Sequence, residues 1–218
     1  MASAVIHLCV AKKINNYLQM DERILSLGAI APDIAKLVGE SKNRSHFLDE
    51  EDSEDTPPHY YRFIDKYKDE LNKPFELGYL IHLMTDYYWF KDYVYKYILE
   101  YTNDSSITYS AIKKIIYNDY TSLNQDLIDD YMLDLYYFQN KIEYPKSSIE
   151  EIPMDKLDVL VDKMGLIIKN MGENKSLMID EKKIIVFIES CSNKIIGDLI
   201  KLHIIGEHWW KRKNYLNL

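Results

Sequence analysis

The sequence predicts an all-α, single-domain multi-helical bundle, and three observations carry that prediction. Apolar residues recur at helical spacing along most of the chain, beginning with Val5, Ile6, Cys9, Val10 and Ile14. Turn-makers are scarce, 7 Gly and 6 Pro in 218 residues, which favours long helices over hairpins. No stretch alternates apolar and polar residues as a half-buried strand does, and no internal repeat is present. A chain of this length buries one sizeable core, so residues 1–218 read as one domain.

Taken in order, Ala2 to Leu18 forms an amphipathic helix with His7 beside its apolar stripe; read alone, His7 is a boundary histidine. Leu25 to Asp33 is a run of small and apolar residues closing on Pro32-Asp33, and a helix starts at Ile34 and reaches Val38. Asp33 there complements the positive helix end. Alternatively Gly28, Ala29 and Ala31 permit close backbone approach, and the carboxylate is delivered into a cleft. Ser45-His46-Phe47 sits in a loop, followed by an acidic loop at 49–58 that is too charged to pack and can screen a cleft mouth. Tyr60 to Leu71 is helical. Pro74 opens a long central helix from Phe75 to about Tyr101, broken by Asn103 to Ser106. Tyr109 to Ile142 is helical again, interrupted near Asn118 to Gln125, where Asp119 and Asn124 cap a new helix or face the cleft. A linker at 143–153 precedes a helix from Met154 to Met171, and a last helix starts near Asp180 and carries apolar residues through Ile204.

Composition narrows the function. The formal net charge of −8 argues against a nucleic-acid partner, because phosphate-binding faces are basic. Two cysteines, Cys9 and Cys191, give no disulfide framework and suit a reducing compartment. The apolar start lacks a basic leader region and is cut short by Lys12-Lys13, so no export signal is read and a cytoplasmic location is expected. No run approaches the roughly 18–20 apolar residues of a membrane span, so no integral membrane segment is expected. Nothing in the sequence sets an oligomeric state.

The chemistry-bearing stretch is Gly78 to Trp89, within which His82 and Asp86 lie four residues apart. On a helix that spacing puts an imidazole and a carboxylate on one face, where both can bind one divalent ion at about 2.0–2.2 Å. His203 and Glu207 repeat the spacing near the end of the last helix.

Together, Ile6-His7-Leu8, Gly28-Ala-Ile-Ala-Pro-Asp33, Ser45-His46-Phe47 and Gly78-Tyr-Leu-Ile-His82-Leu-Met-Thr-Asp86 resemble, by order and residue type, the bacterial zinc-dependent phospholipase C family. The likeness covers roughly the first 90 residues. It implies the all-helical phospholipase C/P1 nuclease fold, with His7, Asp33, His46, His82 and Asp86 as ligands of one to three zinc ions, or of another divalent metal, and Asp86 bridging two of them. It also implies a phosphodiester or phospholipid-like substrate hydrolysed by metal-activated water that Asp33 orients. Smaller cytoplasmic hydrolase-like proteins share the Ala-Pro-Asp, Ser-His-Phe and His-Leu-x-Thr-Asp pieces. Two departures stand out. The secreted enzymes bind one zinc through a mature N-terminal Trp, whereas this chain begins Met1-Ala2, and no histidine lies between His82 and His203. Asp119, His203 and Glu207 are the candidates for a second metal. An HD-type phosphohydrolase would need an adjacent His-Asp pair, which is lacking. The alternative from another class is a non-catalytic helical binding protein with a structural or vestigial metal site.

Overall fold

Helix α5, Pro74–Tyr88, is the axis on which the rest is built. Lys73 is extended before it, Pro74 takes a first-turn position that needs no amide hydrogen, and Glu76 sits at the positive end. Every residue from Phe75 through Asp86 is buried, so the helix is enclosed on all sides instead of presenting one wet face. The computed structural model describes residues 2–53, 56–94, 122–138, 140, 143–169 and 181–206. Among these no strand occurs, and no helix is long and apolar enough to cross a membrane.

Around α5 pack α1 (Ala4–Leu18), α2 (Glu22–Ile30), α4 (Tyr60–Tyr67) and the long C-terminal α8 (Glu181–Lys201). Ser3 caps α1 by accepting the Ile6 amide, and Gln19 closes it in the left-handed region at φ 56°. Helix α2 covers most of the run of small and apolar residues to which the sequence pattern assigns no element. Asp21 caps it by accepting the amides of Arg23 and Ile24, which lets the small residues from Leu25 onward continue a helix. Ala31–Asp33 then tightens into a 3-10 turn and Ile34–Leu37 adds one further turn, α3.

The contact between α2 and α5 is made backbone to backbone. A Cβ added at Gly28 would lie 2.1 Å from the Phe75 carbonyl oxygen, and one added at Gly78 would lie 2.1 Å from that of Leu25. Only glycine fits at that crossing. Fully buried Ile6, Leu8 and Ile14 of α1 and Leu25, Leu27 and Ile30 of α2 belong to the same core, each contributing about 1.5–3 kcal/mol of transfer free energy.

The central helix was expected to run on to Tyr101. Its α-helical part ends at Tyr88 and a π-helical stretch, Trp89–Val94, follows. There buried Trp89 stacks on Tyr93 with centroids 4.3 Å apart and meets Phe187 of α8 edge-on at 4.9 Å. Residues 95–121 lie outside the described part of the chain. Residues 122–130 form α6, and a 3-10 turn, Tyr136–Phe138, follows.

Residues 143–152 form no helix but lie as a strap over α4 and α5. Ile149 and Ile152 are buried, Ser147 Oγ donates to Glu76 Oε1 at 2.7 Å, and Tyr67 Oη donates to Glu151 Oε2 at 2.5 Å. Arg44 donates to the Glu150 carbonyl oxygen and Lys66 pairs with both Glu150 and Glu151. A 3-10 turn at Met154–Lys156 then opens α7, Leu157–Lys169.

Candidate metal centre

Five of the side chains singled out in the sequence meet beside the glycine crossing. Helix α1 supplies His7, the 3-10 turn after α2 supplies Asp33, the turn at 42–47 supplies His46, and α5 supplies His82 and Asp86 one turn apart. His7, His46, His82 and Asp86 are wholly buried, and the Asp33 side chain is 22% exposed. His7 is therefore not a boundary residue, because α1 is buried all round from Val5 to Ala11. Asp33 does not cap α3; its Oδ1 is buried without a hydrogen-bond partner.

The hydrogen-bond partners fix the orientation of two rings. His82 Nδ1 lies 2.8 Å from the Ala29 carbonyl oxygen, which can only accept, so the proton is on Nδ1 and the lone pair on Nε2. Ser45 Oγ donates to the Lys42 carbonyl oxygen at 3.1 Å and lies 2.9 Å from His46 Nδ1, which it holds on the outer side of the cluster. The two Nε2 atoms face each other at 3.4 Å, within hydrogen-bond distance, and Asp86 Oδ2 lies 3.5 Å from that of His46 and 3.8 Å from that of His82. With His46 protonated on Nδ1, three lone pairs converge there, an arrangement that is repulsive unless a cation sits among them. The circle through points separated by 3.4, 3.5 and 3.8 Å has a radius of about 2.1 Å, the length of a zinc–nitrogen or zinc–oxygen bond.

His7 addresses the other side of the carboxylate. Its ring stacks on that of His82, centroids 3.8 Å apart and 11° from parallel, so the in-plane lone pairs of the two rings run side by side and do not meet at one point. His7 Nε2 lies 3.3 Å from Asp86 Oδ1, which also accepts the Ala2 amide at 2.8 Å. Neither ring nitrogen of His7 has a hydrogen-bond partner, and Asp86 Oδ2 and Asp33 Oδ1 share that condition. A buried polar atom left unpaired costs about 1–3 kcal/mol; gathered in one cluster, such atoms mark a place built for a ligand. Asp33 Oδ1 closes the group 4.0 Å from His46 Nε2.

The ionisation states also suit a cation. Burial, reinforced by the neighbouring His7, holds His82 well below the usual imidazole value and keeps it neutral. For Asp86 burial pushes the other way, and the imidazoles of His7 and His46 outweigh it, holding the carboxyl well below the usual carboxylate range. Neutral imidazoles with an ionised carboxylate are what a divalent ion requires, and a nitrogen and oxygen donor set without thiolate suits zinc and other first-row divalent ions.

Of the second-metal candidates only His203 lies among the described residues, and it belongs to no group of ligating side chains there. His203 lies past the end of α8, is exposed and has φ 55°, so a four-residue step from it does not correspond to one helical turn. Glu207 and Asp119 lie outside the described residues, and Asn124 is buried inside α6. In the acidic loop, Arg62 grips both oxygens of Asp49 at 2.8 and 3.0 Å, and His59 Nε2 lies 3.1 Å from Asp52 Oδ2. The groups that sequence reasoning missed are the Ser45 hydroxyl, the Ala29 carbonyl and the Ala2 amide. The last two are backbone groups with no sequence signature. A scan against protein-family models and searches of curated proteins and of solved structures find no match to this chain.

Proposed function

We propose that this chain is a metal-dependent phosphoesterase acting on a phosphodiester or phospholipid-like substrate. The observation that carries the reading is the convergence of His46 Nε2, His82 Nε2 and Asp86 Oδ2, all buried, on one point. When bound there, a divalent ion polarises a phosphoryl oxygen and lowers the pKa of water from 15.7 towards about 7. The protein's part is to hold Asp86 ionised, His82 neutral and both Nε2 lone pairs aimed inward. Asp33 has one oxygen in the cluster while its side chain reaches solvent. That boundary position suits it to accept a proton from, and orient, a water entering from outside. The order of motifs resembling the zinc-dependent phospholipase C family supports the same class. Buried, unbridged Cys9 and Cys191 support a reducing, cytoplasmic setting.

The complete burial of four of the five groups favours one other reading, a non-catalytic binding protein in which the metal is structural. Protein purified without chelator, analysed for bound metal and assayed on bis(p-nitrophenyl) phosphate, separates the two. Metal with turnover, both lost in D86A, is the expected result. Metal without turnover favours the structural role, and absence of metal overturns both.

A further inference from the structure

We propose that Ser45 is a positioning residue that sets the tautomer of His46 and thereby keeps the cation site open. The inference rests on the metal reading above and deepens it. His46 has one acceptor on its outer side and two on its inner side, where His82 Nε2 lies 3.4 Å from its Nε2. On the outer side Ser45 Oγ lies 2.9 Å from Nδ1; on the inner side Asp86 Oδ2 lies 3.5 Å from Nε2 and out of line for a hydrogen bond. Were the proton on Nε2, it would occupy the space between the three converging atoms and be donated to His82 Nε2 in place of a cation. Ser45 decides the matter because its own proton is committed to the Lys42 carbonyl oxygen at 3.1 Å, which turns its lone pairs to Nδ1–H. The hydroxyl cannot drift, since Ser45 is wholly buried and its carbonyl oxygen is held by Tyr79 Oη at 2.7 Å. Tyr79 is fixed in turn by stacking on Phe63, centroids 4.8 Å apart and 2° from parallel. Helix α5 therefore carries two of the proposed ligands and, one turn before His82, the group that anchors the turn bearing a third.

The test uses the full chain, labelled with ¹⁵N-histidine and stripped of metal. Long-range proton–nitrogen correlation of His46 is expected to show the Nδ1–H form in the wild type, and a mixture or the Nε2–H form in S45A. Zinc titrated against a competing chelator should bind about 10- to 100-fold more weakly to S45A, and S45T should restore both readouts. A wild-type His46 in the Nε2–H form overturns the proposal, as does an S45A protein with unchanged tautomer and zinc affinity. Failure of the metal reading has a separate signature: H46A binds zinc as tightly as the wild type while the wild-type ring still shows Nδ1–H. That result would reduce Ser45 to a structural hydrogen bond.

Discussion

Alanine at Gly78 should damage fold and site together. The new methyl carbon would start 2.1 Å from the Leu25 carbonyl oxygen and 3.0 Å from the Ala29 amide nitrogen, where ordinary contact begins at 3.4 Å. Both obstacles are backbone and cannot rotate away, so α2 and α5 must separate by about 1.3 Å, an overpacking worth about 1–3 kcal/mol. The same movement stretches the Ala29–His82 hydrogen bond from 2.8 Å to about 4 Å, beyond bonding range. Leaving the buried Nδ1–H of His82 unpaired adds about 1–3 kcal/mol. The total, about 2–6 kcal/mol, is a large share of the 5–15 kcal/mol typical of a domain. Urea unfolding followed by far-UV circular dichroism reads the loss, and zinc competition reads the released imidazole. Gly197, in the interior of α8 with nothing within 4 Å of an added Cβ, is the internal control, and G197A should leave stability unchanged or raise it by about 0.5–1 kcal/mol. Equal urea midpoints for G78A and the wild type would refute the close-crossing argument.

Other expectations follow from the cluster and the strap. D33N should keep the zinc held by His46, His82 and Asp86 while hydrolysis drops about 10²–10⁴-fold; an unchanged rate removes Asp33 from catalysis. With metal chelated, stability should fall as pH drops below 6.5, because the unfolded chain protonates His82 there while the native state, its imidazole held well below that value, does not. Asp86, held below its ordinary 3.8, contributes stability above 3.8 that is lost on further acidification through its native value. The urea midpoint against pH checks this, and in H82Q the first decline should be shallower. Y67F removes the hydroxyl that donates to Glu151 and accepts the Glu150 amide, a loss of about 1–3 kcal/mol with zinc affinity unchanged; a shift in affinity would mean the strap reaches the site.

The helical class was legible because periodicity along α1, α4, α5 and α8 is a local property, and Pro74 announces a helix start. Helix α2 was not, since Gly28 and the small residues around it mimic a loop; Asp21 followed by Glu22 was the capping signal that could have revealed it. His82 and Asp86 were readable as one helical face. His7 was not readable as buried, because amphipathic patterning locates one apolar stripe and cannot say that α1 is enclosed on its other side too. The paired Nδ1 partners were out of reach for different reasons. Ala29 acts through a carbonyl that becomes available only where two glycines let the helices touch. Ser45 acts through a hydroxyl whose role depends on a turn three residues long.

The strap has a consequence for how the molecule is made. The turn carrying His46 is tied down through Arg44 to the carbonyl of Glu150, 106 residues later, and α4 and α5 are joined to the same segment across 71 to 85 residues. Contacts that span so much chain close late, after their loop entropy has been met. On a ribosome, the first two-fifths of the polypeptide emerges long before the segment that braces it, so α4, α5 and the turn at 42–47 gain these ties only when synthesis has passed Glu151.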